Sequence, residues 1–417
     1  MPTVAYLTNQ FPSPVEPYVV EEIRELRRRG VKVLPCSARR AEAASLDDGL
    51  STLAAETLYL QPLRLMLLIR AALLCFWKFP LLASFFERVL VRGNESLSRR
   101  ARALLHTWLG VYYSLLLEGR GVEHIHVHHG YFASWIAMVA ARLLDIGFSM
   151  TLHGSDLLLH SAYLDTKLKN CAFCLTVSEY NRRHILERFP EIGSGKIRVQ
   201  RMGVDTSVQI CPNARVQPAK SCLVMLAVGR LHSVKDHAFL VRTCSRLRDR
   251  GMNLLCLIAG EGPERASLER LIGELGLEKE VRLLGHVPRQ QLDPYYAMAD
   301  VVVLTSRSEG IPLVLMEAMA LVKTVLAPAI TGIPELVMDG KTGFLYPINS
   351  MDDFVARVEM IHRSEPSLQP IRQAARQHVL EHFNREKNLS QFCDFFVTHL
   401  TGTSESSVHA SPVLQQI

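Results

Sequence analysis

The sequence predicts an α/β protein of two doubly wound, Rossmann-like domains in tandem. Apolar strand-like runs alternate with amphipathic helical segments, the alternation breaks once around residues 205–220, and it then resumes with the same rhythm. Short runs that are apolar throughout suit a parallel sheet covered by helices on both faces. Such sheets take ligands beyond the carboxyl ends of their strands, so two of them are expected to face each other across a cleft.

The elements follow in order. Residues 3–8 (TVAYLT) read as a buried strand, 16–29 as an amphipathic helix closed by Gly30, and 31–34 as the next strand, which makes a βαβ unit. Strands at 123–128, 148–152 and 173–177 and an apolar helix at 133–144 continue the series, and Ser178 is placed to cap the helix after it. The second series has strands at 223–228, 254–259, 281–284, 301–304 and 324–327, separated by helices at 237–248, 264–275, 292–299 and 312–321. The expected domains are 1–210 and 211–384, with a helix at 385–400 packing back on the first domain and a Ser/Thr-rich tail at 401–417 that frays.

With 417 residues, 48% hydrophobic and 21% charged, the chain can bury a large core, and collagen, coiled coil and wholesale disorder are excluded. Nine cysteines form an odd set, several of them in apolar runs (Cys75, Cys222, Cys244, Cys256), as expected for reduced thiols in a cytoplasmic protein. The first residues show no basic and apolar leader, so export is not expected. The most apolar stretch, 62–86, is interrupted by Arg64, Arg70, Lys78 and Pro80 and is expected to lie on a membrane rather than cross it. Residues 62–104 hold eight Arg/Lys and two Glu, a surplus equal to the net charge of +6 of the whole chain. The segment reads either as a patch for an anionic membrane surface or as a buried helical insert with solvated arginines. With the basic excess confined there and no aromatic-rich basic groove, nucleic acid is not an expected partner.

Several motifs fail on inspection. In the Gly193-Ser194-Gly195-Lys196 turn, Pro190 and Ile197 stand where a phosphate loop needs Gly and Ser/Thr. Gly260-Glu261-Gly262-Pro263-Glu264-Arg265 has Arg265 where a dinucleotide fingerprint needs its third Gly. His124, His126, His128 and His129 invite a metal, but no Cys, Asp or Glu ligand lies at suitable spacing nearby, which favours a polar wall at a strand end. Cys171 and Cys174 read as packing.

Two segments carry chemistry. In Ser308-Glu309-Gly310-Ile311-Pro312, Pro312 suits a first helical turn and Gly310 permits close approach, so the helix amino end at Gly310 and Ile311 offers N–H groups and positive dipole to an anion. Glu317 shares an apolar helical face with Leu313, Val314 and Leu321, and such a carboxylate must accept hydrogen bonds: a ribose diol would supply them, as would backbone or an arginine. Arg230 and Lys235 leave the first strand of the second domain at its carboxyl edge, where a fork and a point charge can hold a diphosphate.

In order along the chain, GRLHSVK (229–235), AGEGP (259–263), LGHV (284–287), the Glu-x7-Glu pair Glu309 and Glu317, TGIPE (331–335) and DGKTGF (339–344) resemble the retaining GT-B glycosyltransferases of family 4. The likeness runs over most of 120–350, within the group that builds exopolysaccharides and lipid-linked glycans. It implies a GT-B fold and transfer of a hexosyl group from a nucleoside diphosphate sugar to a hydroxyl of a glycan or lipid-linked glycan. It also implies that Arg230 and Lys235 grip the donor diphosphate, that Glu317 binds the ribose, that Glu309 lies beside the donor sugar, and that Gly285, His286 and Val287 receive the nucleobase. Residues 151–156 (TLHGSD) resemble the family's His-Gly turn, and the likeness makes His153 the catalytic-centre residue that contacts the donor sugar. No metal and no other cofactor are implied, because fixed cations and the helix end take over charge neutralisation. Two departures stand out. The first loop, Asn9 to Glu16, lacks the Gly-Gly of many relatives and is closer to the colanic-acid type with Phe-Pro and a downstream Glu, and Val322 and Thr324 replace residues that are often Gly and Pro. A same-fold epimerase and a non-catalytic nucleotide-sugar binder are the competing expectations.

Overall fold

The computed structural model describes residues 2–13, 16–40, 48–93, 95–159, 162–207 and 222–406. They form two compact units, one of Met1–Val177, Arg182–Gln200 and Leu389–Ile417, the other of Ser178–Asn181 and Arg201–Asn388.

The first unit holds a seven-stranded parallel sheet of β1 (Thr3–Phe11), β2 (Lys32–Arg40), β3 (Leu58–Tyr59), β4 (His124–His128), β5 (Gly147–Leu152), β6 (Cys174–Thr176) and β7 (Ile197–Val199), in the order β3-β2-β1-β4-β5-β6-β7. Period-two alternation sorts its side chains. Ala5, Leu7, Ile125 and Val127 enter one core with Trp135 and Tyr113, while Val4 and Tyr6 enter the other with Phe173, Phe392 and Phe396. His124, His126 and His128 therefore share the second face, and the His126 ring meets Phe396 of the C-terminal helix edge-on at 5.0 Å. That helix, Arg385–Ser406, continues past the expected end at 400, and Phe392, Cys393, Phe396 and Leu400 are buried in this unit. Of the tail expected to fray, 407–417 lie outside the described residues.

The second unit holds a six-stranded parallel sheet of β8 (Leu223–Val228), β9 (Leu254–Ala259), β10 (Val281–Gly285), β11 (Val301–Val303), β12 (Thr324–Pro328) and β13 (Phe344–Tyr346), in the order β10-β9-β8-β11-β12-β13. Val224 and Leu226 face one core and Leu223, Met225 and Ala227 the other, so both faces are covered as a doubly wound sheet requires. The boundary expected at 210 and most of the expected 205–220 linker lie outside the described residues. Residues from Arg201 onward already belong to this unit, because Val204 bridges to Asn384 and Arg385 holds Asp205 at 2.9 Å.

The basic apolar segment forms helices Leu65–Trp77 and Phe79–Leu90 and enters a third, Leu97–Leu117. Ala71, Leu82, Phe85 and Val89 of these helices are buried in the first core, whereas Leu65, Met66, Leu73, Phe76 and Trp77 are 63–83% exposed, so the segment packs as an insert on one side and leaves an apolar surface on the other. No single helix among the described residues is long and apolar enough to cross a membrane, and the first two of these helices are bent by 89°.

Candidate functional site

In each sheet the chain reverses its winding direction between two adjacent strands, and loops leaving those strands open a crevice at their carboxyl ends. In the second unit this switch point lies between β8 and β11. The loops after these strands carry Lys235 and Glu309, and Lys235 Nζ donates to Glu309 Oε1 at 2.5 Å. The Lys235 stem crosses Gly229, where a Cβ would sit 3.7 Å from it. Further bonds tie the two loops together: Thr305 Oγ1 donates to the Lys235 carbonyl at 2.9 Å, Arg307 N to the Val234 carbonyl at 2.8 Å, and Arg307 Nε to Asp236 Oδ2 at 2.8 Å. Arg230 is exposed and has no ion-pair partner among the described residues.

The glycines explain how closely these loops pack. A Cβ on Gly260 would lie 1.8 Å from the Gly229 carbonyl oxygen, and one on Gly332 would lie 2.4 Å from that of Gly310. Gly260 N also donates to the carbonyl of Gly285, whose φ of +75° is readily adopted only without a side chain. The segments around Gly229, Gly260 and Gly285 therefore form one continuous rim at the carboxyl ends of β8, β9 and β10. His286 on this rim is exposed and Val287 half-buried. Glu309 is fixed from the other side, where its carbonyl accepts from Thr331 Oγ1 at 2.7 Å. Ile311 is buried beside Gly310, ahead of the helix Leu313–Ala320.

Glu317 lies in that helix. Its carboxylate is satisfied by protein groups, with the Tyr296 hydroxyl donating to Oε2 at 2.9 Å and Arg289 pairing with Oε1 at 2.9 Å. Burial raises the Glu317 pKa, against the lowering effects of Arg289 and the Tyr296 hydroxyl. Sequence reasoning missed Tyr296 and Arg289, since neither belongs to a motif. The only available hint was the need for an apolar-face carboxylate to find donors.

The first unit has its own switch point, between β1 and β4. His153 follows β5 there, with its Nε2 3.0 Å from His128 Nδ1 and its ring 4.7 Å from Tyr18 and 4.6 Å from His129. Asp156 braces the turns by accepting from Gly154 N at 2.7 Å, His153 N at 3.1 Å and Gly130 N at 2.9 Å. His129 has a left-handed φ of 72°, unusual for a side-chain-bearing residue, and its ring lies between Glu16 at 2.9 Å and Asp156 at 3.7 Å. Burial alone would lower the His129 pKa, but the carboxylates of Asp156 and Glu16 raise it to about 10. His153 is held well below its ordinary value by burial and then by the neighbouring His129 and His128. The other two histidines of β4 meet hydroxyls: His126 those of Ser149 and Thr151 at 2.8 and 3.1 Å, and His124 that of Ser149 at 2.7 Å. Cys171 and Cys174 are buried free thiols. The second unit thus brings together Lys235, Glu309 and the glycine rim, and separately Glu317 with its two donors, while His153 belongs to the polar network of the first unit.

Comparison with known proteins gives these networks a family. Residues 15–208 match the model described as Glycosyltransferase Family 4, and residues 214–378 that described as Glycosyl transferases group 1. The chain is 33% identical over 198 residues to WcaL of Salmonella typhimurium, named as a colanic acid biosynthesis glycosyltransferase, with 46% of this chain and 48% of that protein covered. It is 32% identical over 197 residues to the amylovoran biosynthesis glycosyltransferase AmsK of Erwinia amylovora, with the same coverage of 46% and 48%. The chain thus spans about half the length of the curated relatives it matches. Among solved structures, the fold is shared with sucrose-phosphate synthase of Thermosynechococcus elongatus (TM-score 0.75, 17% identity, 96% of this chain and 100% of that one). It is also shared with Anabaena HepE, solved in complex with UDP and glucose (TM-score 0.69, 17% identity, 95% and 100%). The fold is GT-B, and with both halves matched by glycosyltransferase models and with exopolysaccharide-type relatives, the chain belongs to the family 4 glycosyltransferases.

Proposed function

We propose that this protein is a retaining glycosyltransferase that moves a hexosyl group from a nucleoside diphosphate sugar to a hydroxyl of a glycan or lipid-linked glycan during cell-surface polysaccharide synthesis. The observation that carries this reading is the Lys235–Glu309 pair at the β8/β11 switch point, flanked by the close-packed glycine rim and the amino end of helix Leu313–Ala320. A fixed cation and oriented N–H groups there suit a diphosphate that gains charge as its bond to the sugar breaks.

In the transfer, the bond between the anomeric carbon and the diphosphate oxygen breaks and the acceptor oxygen bonds that carbon on the same face. The acceptor proton leaves on the departing diphosphate. Lys235, exposed Arg230 and the N–H groups at Gly310 and Ile311 stabilise the leaving charge. Glu309 and His153 contact the donor sugar, Glu317 the ribose, and Gly285, His286 and Val287 the base. The reading invokes no metal or other cofactor. Glu317 already accepts from Tyr296 and pairs with Arg289, so ribose hydroxyls must share or displace those bonds.

We place the enzyme in the cytoplasm, on the inner face of the plasma membrane. Eight described cysteines, all free, support a reducing compartment. Support for the membrane surface comes from the exposed apolar residues of helices Leu65–Trp77 and Phe79–Leu90, which stand among exposed Arg64, Arg70, Lys78 and Arg92. The test is a thermal-shift screen of UDP- and GDP-sugars, followed by a transfer assay with labelled donor and membrane-extracted acceptors. A donor that raises the melting temperature and labels a glycan is the expected result. Donor consumed without acceptor, or bound and never consumed, would overturn the assignment.

A further inference from the structure

The carboxyl end of the first sheet carries two arginines that the proposed transfer chemistry does not use. Arg39 and Arg40 close β2, in register with Gln10 and Phe11 at the end of β1, so both lie on the edge where a doubly wound sheet takes its ligands. Both are exposed, and neither forms an ion pair among the described residues. Each guanidinium lies over an aromatic ring. Arg39 Cζ is 5.9 Å from the centroid of Phe132, the first residue of the helix after β4, and Arg40 Cζ is 5.0 Å from that of Tyr59 on β3. Tyr59 is itself anchored, its hydroxyl 3.1 Å from the Ala54 carbonyl oxygen and 3.3 Å from that of Phe11. A ring steadies a guanidinium and leaves its N–H fork open to an anion. Two such forks side by side, with no carboxylate between them, suit a group of more than one negative charge.

The same edge runs into the exposed apolar surface. Leu60 N donates to the Ser37 carbonyl at 2.9 Å, which ties the end of β3 to β2. The chain then passes through exposed Leu63 and Arg64 into the helix Leu65–Trp77, whose first residues Leu65 and Met66 are 71% and 72% exposed. Arg64 N donates to the Tyr112 hydroxyl at 3.3 Å, which fixes this entry to the helix Leu97–Leu117. A second route leads to the same place. Phe132, beneath Arg39, has its ring 5.3 Å from that of His106 on that helix, next to exposed Leu105. Burial, and then the charges of Lys167 and Arg102, lowers the His106 pKa to about 4, so the cation this turn offers is exposed Arg102. Among the described residues, most of the exposed large apolar side chains lie between Leu63 and Leu105. An apolar surface of this kind marks a place that something covers.

A ligand that satisfies both features has an anionic head for the strand end and a hydrocarbon chain for the helices. A free acidic glycan would leave the apolar side chains in water, and a neutral lipid would leave the arginines unpaired. We infer that Arg39 and Arg40 bind the phosphoryl or pyrophosphoryl group of a lipid-linked acceptor whose hydrocarbon chain continues over the helix Leu65–Trp77. Calling this ligand the acceptor rests on the activity proposed above, whereas the binding site itself does not.

The probe is farnesyl diphosphate, titrated calorimetrically into the full-length protein. It is expected to bind, with inorganic pyrophosphate and farnesol each at least about tenfold weaker, because each lacks one half of what is recognised. Arg39→Gln/Arg40→Gln should weaken farnesyl diphosphate at least about tenfold, whereas Lys235→Ala, in the second unit, should change it by no more than about twofold. Arg39→Lys/Arg40→Lys keeps the charges but loses the forks and should fall between wild type and the glutamine variant. A melting curve accompanies each protein, and if the double glutamine variant does not fold, the two single variants decide, since at least one must bind more weakly. The inference is overturned if farnesyl diphosphate does not bind, if folded glutamine variants bind it as the wild type does, or if Lys235→Ala abolishes binding. It is equally overturned if the glutamine variant loses only its co-sedimentation with phosphatidylglycerol vesicles, which would assign the arginines to the bilayer surface at large. Farnesyl diphosphate bound through Arg39 and Arg40 in a protein that transfers no sugar would instead remove the proposed activity and leave this site in place.

Discussion

Removing the Lys235 ammonium is the most direct perturbation of the proposed chemistry. In Lys235→Ala the backbone contacts that shape the loop survive, because Thr305 Oγ1 binds the Lys235 carbonyl and Arg307 N binds that of Val234. What disappears is the charge 2.5 Å from Glu309 Oε1 and the stem lying over Gly229. The pair is partly open to water, with side-chain exposures of 24% and 12%, so its loss costs ~1–2 kcal/mol of stability. For a unit of this size that is a drop of about 2–8 °C in melting temperature, which leaves a folded enzyme at assay temperature. The catalytic effect is larger. A preoriented donor that stabilises the leaving charge is worth about 10²- to 10³-fold in kcat, or ~3–4 kcal/mol. The assay follows labelled sugar transfer at saturating donor, with the donor chosen by thermal shift and a melting curve recorded for every variant. Lys235→Arg, which keeps the charge but not its position, should recover part of the rate. A folded Lys235→Ala enzyme with wild-type kcat at saturating donor would refute the role given to this cation.

Glu317→Gln should keep the Tyr296 hydrogen bond, weaken the pairing with Arg289, and raise donor KM about tenfold with a smaller change in kcat; unchanged donor affinity by calorimetry would detach Glu317 from the ribose. The membrane reading predicts that Phe76→Ser/Trp77→Ser reduces co-sedimentation with vesicles containing anionic lipid and that high salt does the same; binding that ignores both salt and lipid charge would contradict it. Val322 closes helix Leu313–Ala320 at φ 57°, with Lys323 N bonded to the Ala318 carbonyl and Val322 N to that of Met319, a Schellman arrangement that favours glycine. Relief of left-handed strain, ~1–2 kcal/mol, exceeds the entropy cost of glycine, so Val322→Gly should raise the denaturation midpoint. The raised pKa of His129 gives a pH signature. Its unfolded value is about 6.5 and its folded value about 10, so its contribution is complete below the former and is lost as pH rises through the latter. The stability gap between wild type and His129→Gln, measured by urea denaturation, should therefore narrow steadily from neutral pH to above 10.

Much of the fold was legible because buried parallel strands leave uninterrupted apolar runs such as Leu223–Val228 and Leu254–Ala259, and the break near 205–220 stood out against them. The strands that escaped notice are short or lie at sheet edges: Leu58–Tyr59, Ile197–Val199 and Phe344–Tyr346 have too few residues to display a period. The exposed apolar helices were ambiguous for a different reason. Composition reports how hydrophobic a segment is, and only packing reveals whether a partner covers it. At the site, Lys235 and Glu309 were visible because each leaves a strand end within a recurring motif. Arg289, Tyr296 and Glu22 were not, since each acts through contacts to residues distant in sequence and nothing local announces them.

Topology supplies what local pattern lacks. Each sheet has one place where adjacent strands continue in opposite directions, and there no crossover connection fills the space above their ends. In the first unit the loops after β1 and β4 meet there, and a linked set of buried and half-buried polar groups, His128, His129, Glu16, Glu22 and Asp156, lies around them. In the second, the loops after β8 and β11 meet and join Lys235 to Glu309. A carboxylate or imidazole in such a place is expensive to bury unless it is paired, and every one of these is. Stability alone would be served as well by apolar side chains of similar volume. The presence of paired charged groups at the two switch points, where apolar side chains would serve stability as well, therefore argues for chemistry at those crevices, and the Lys235 experiment tests the second of them.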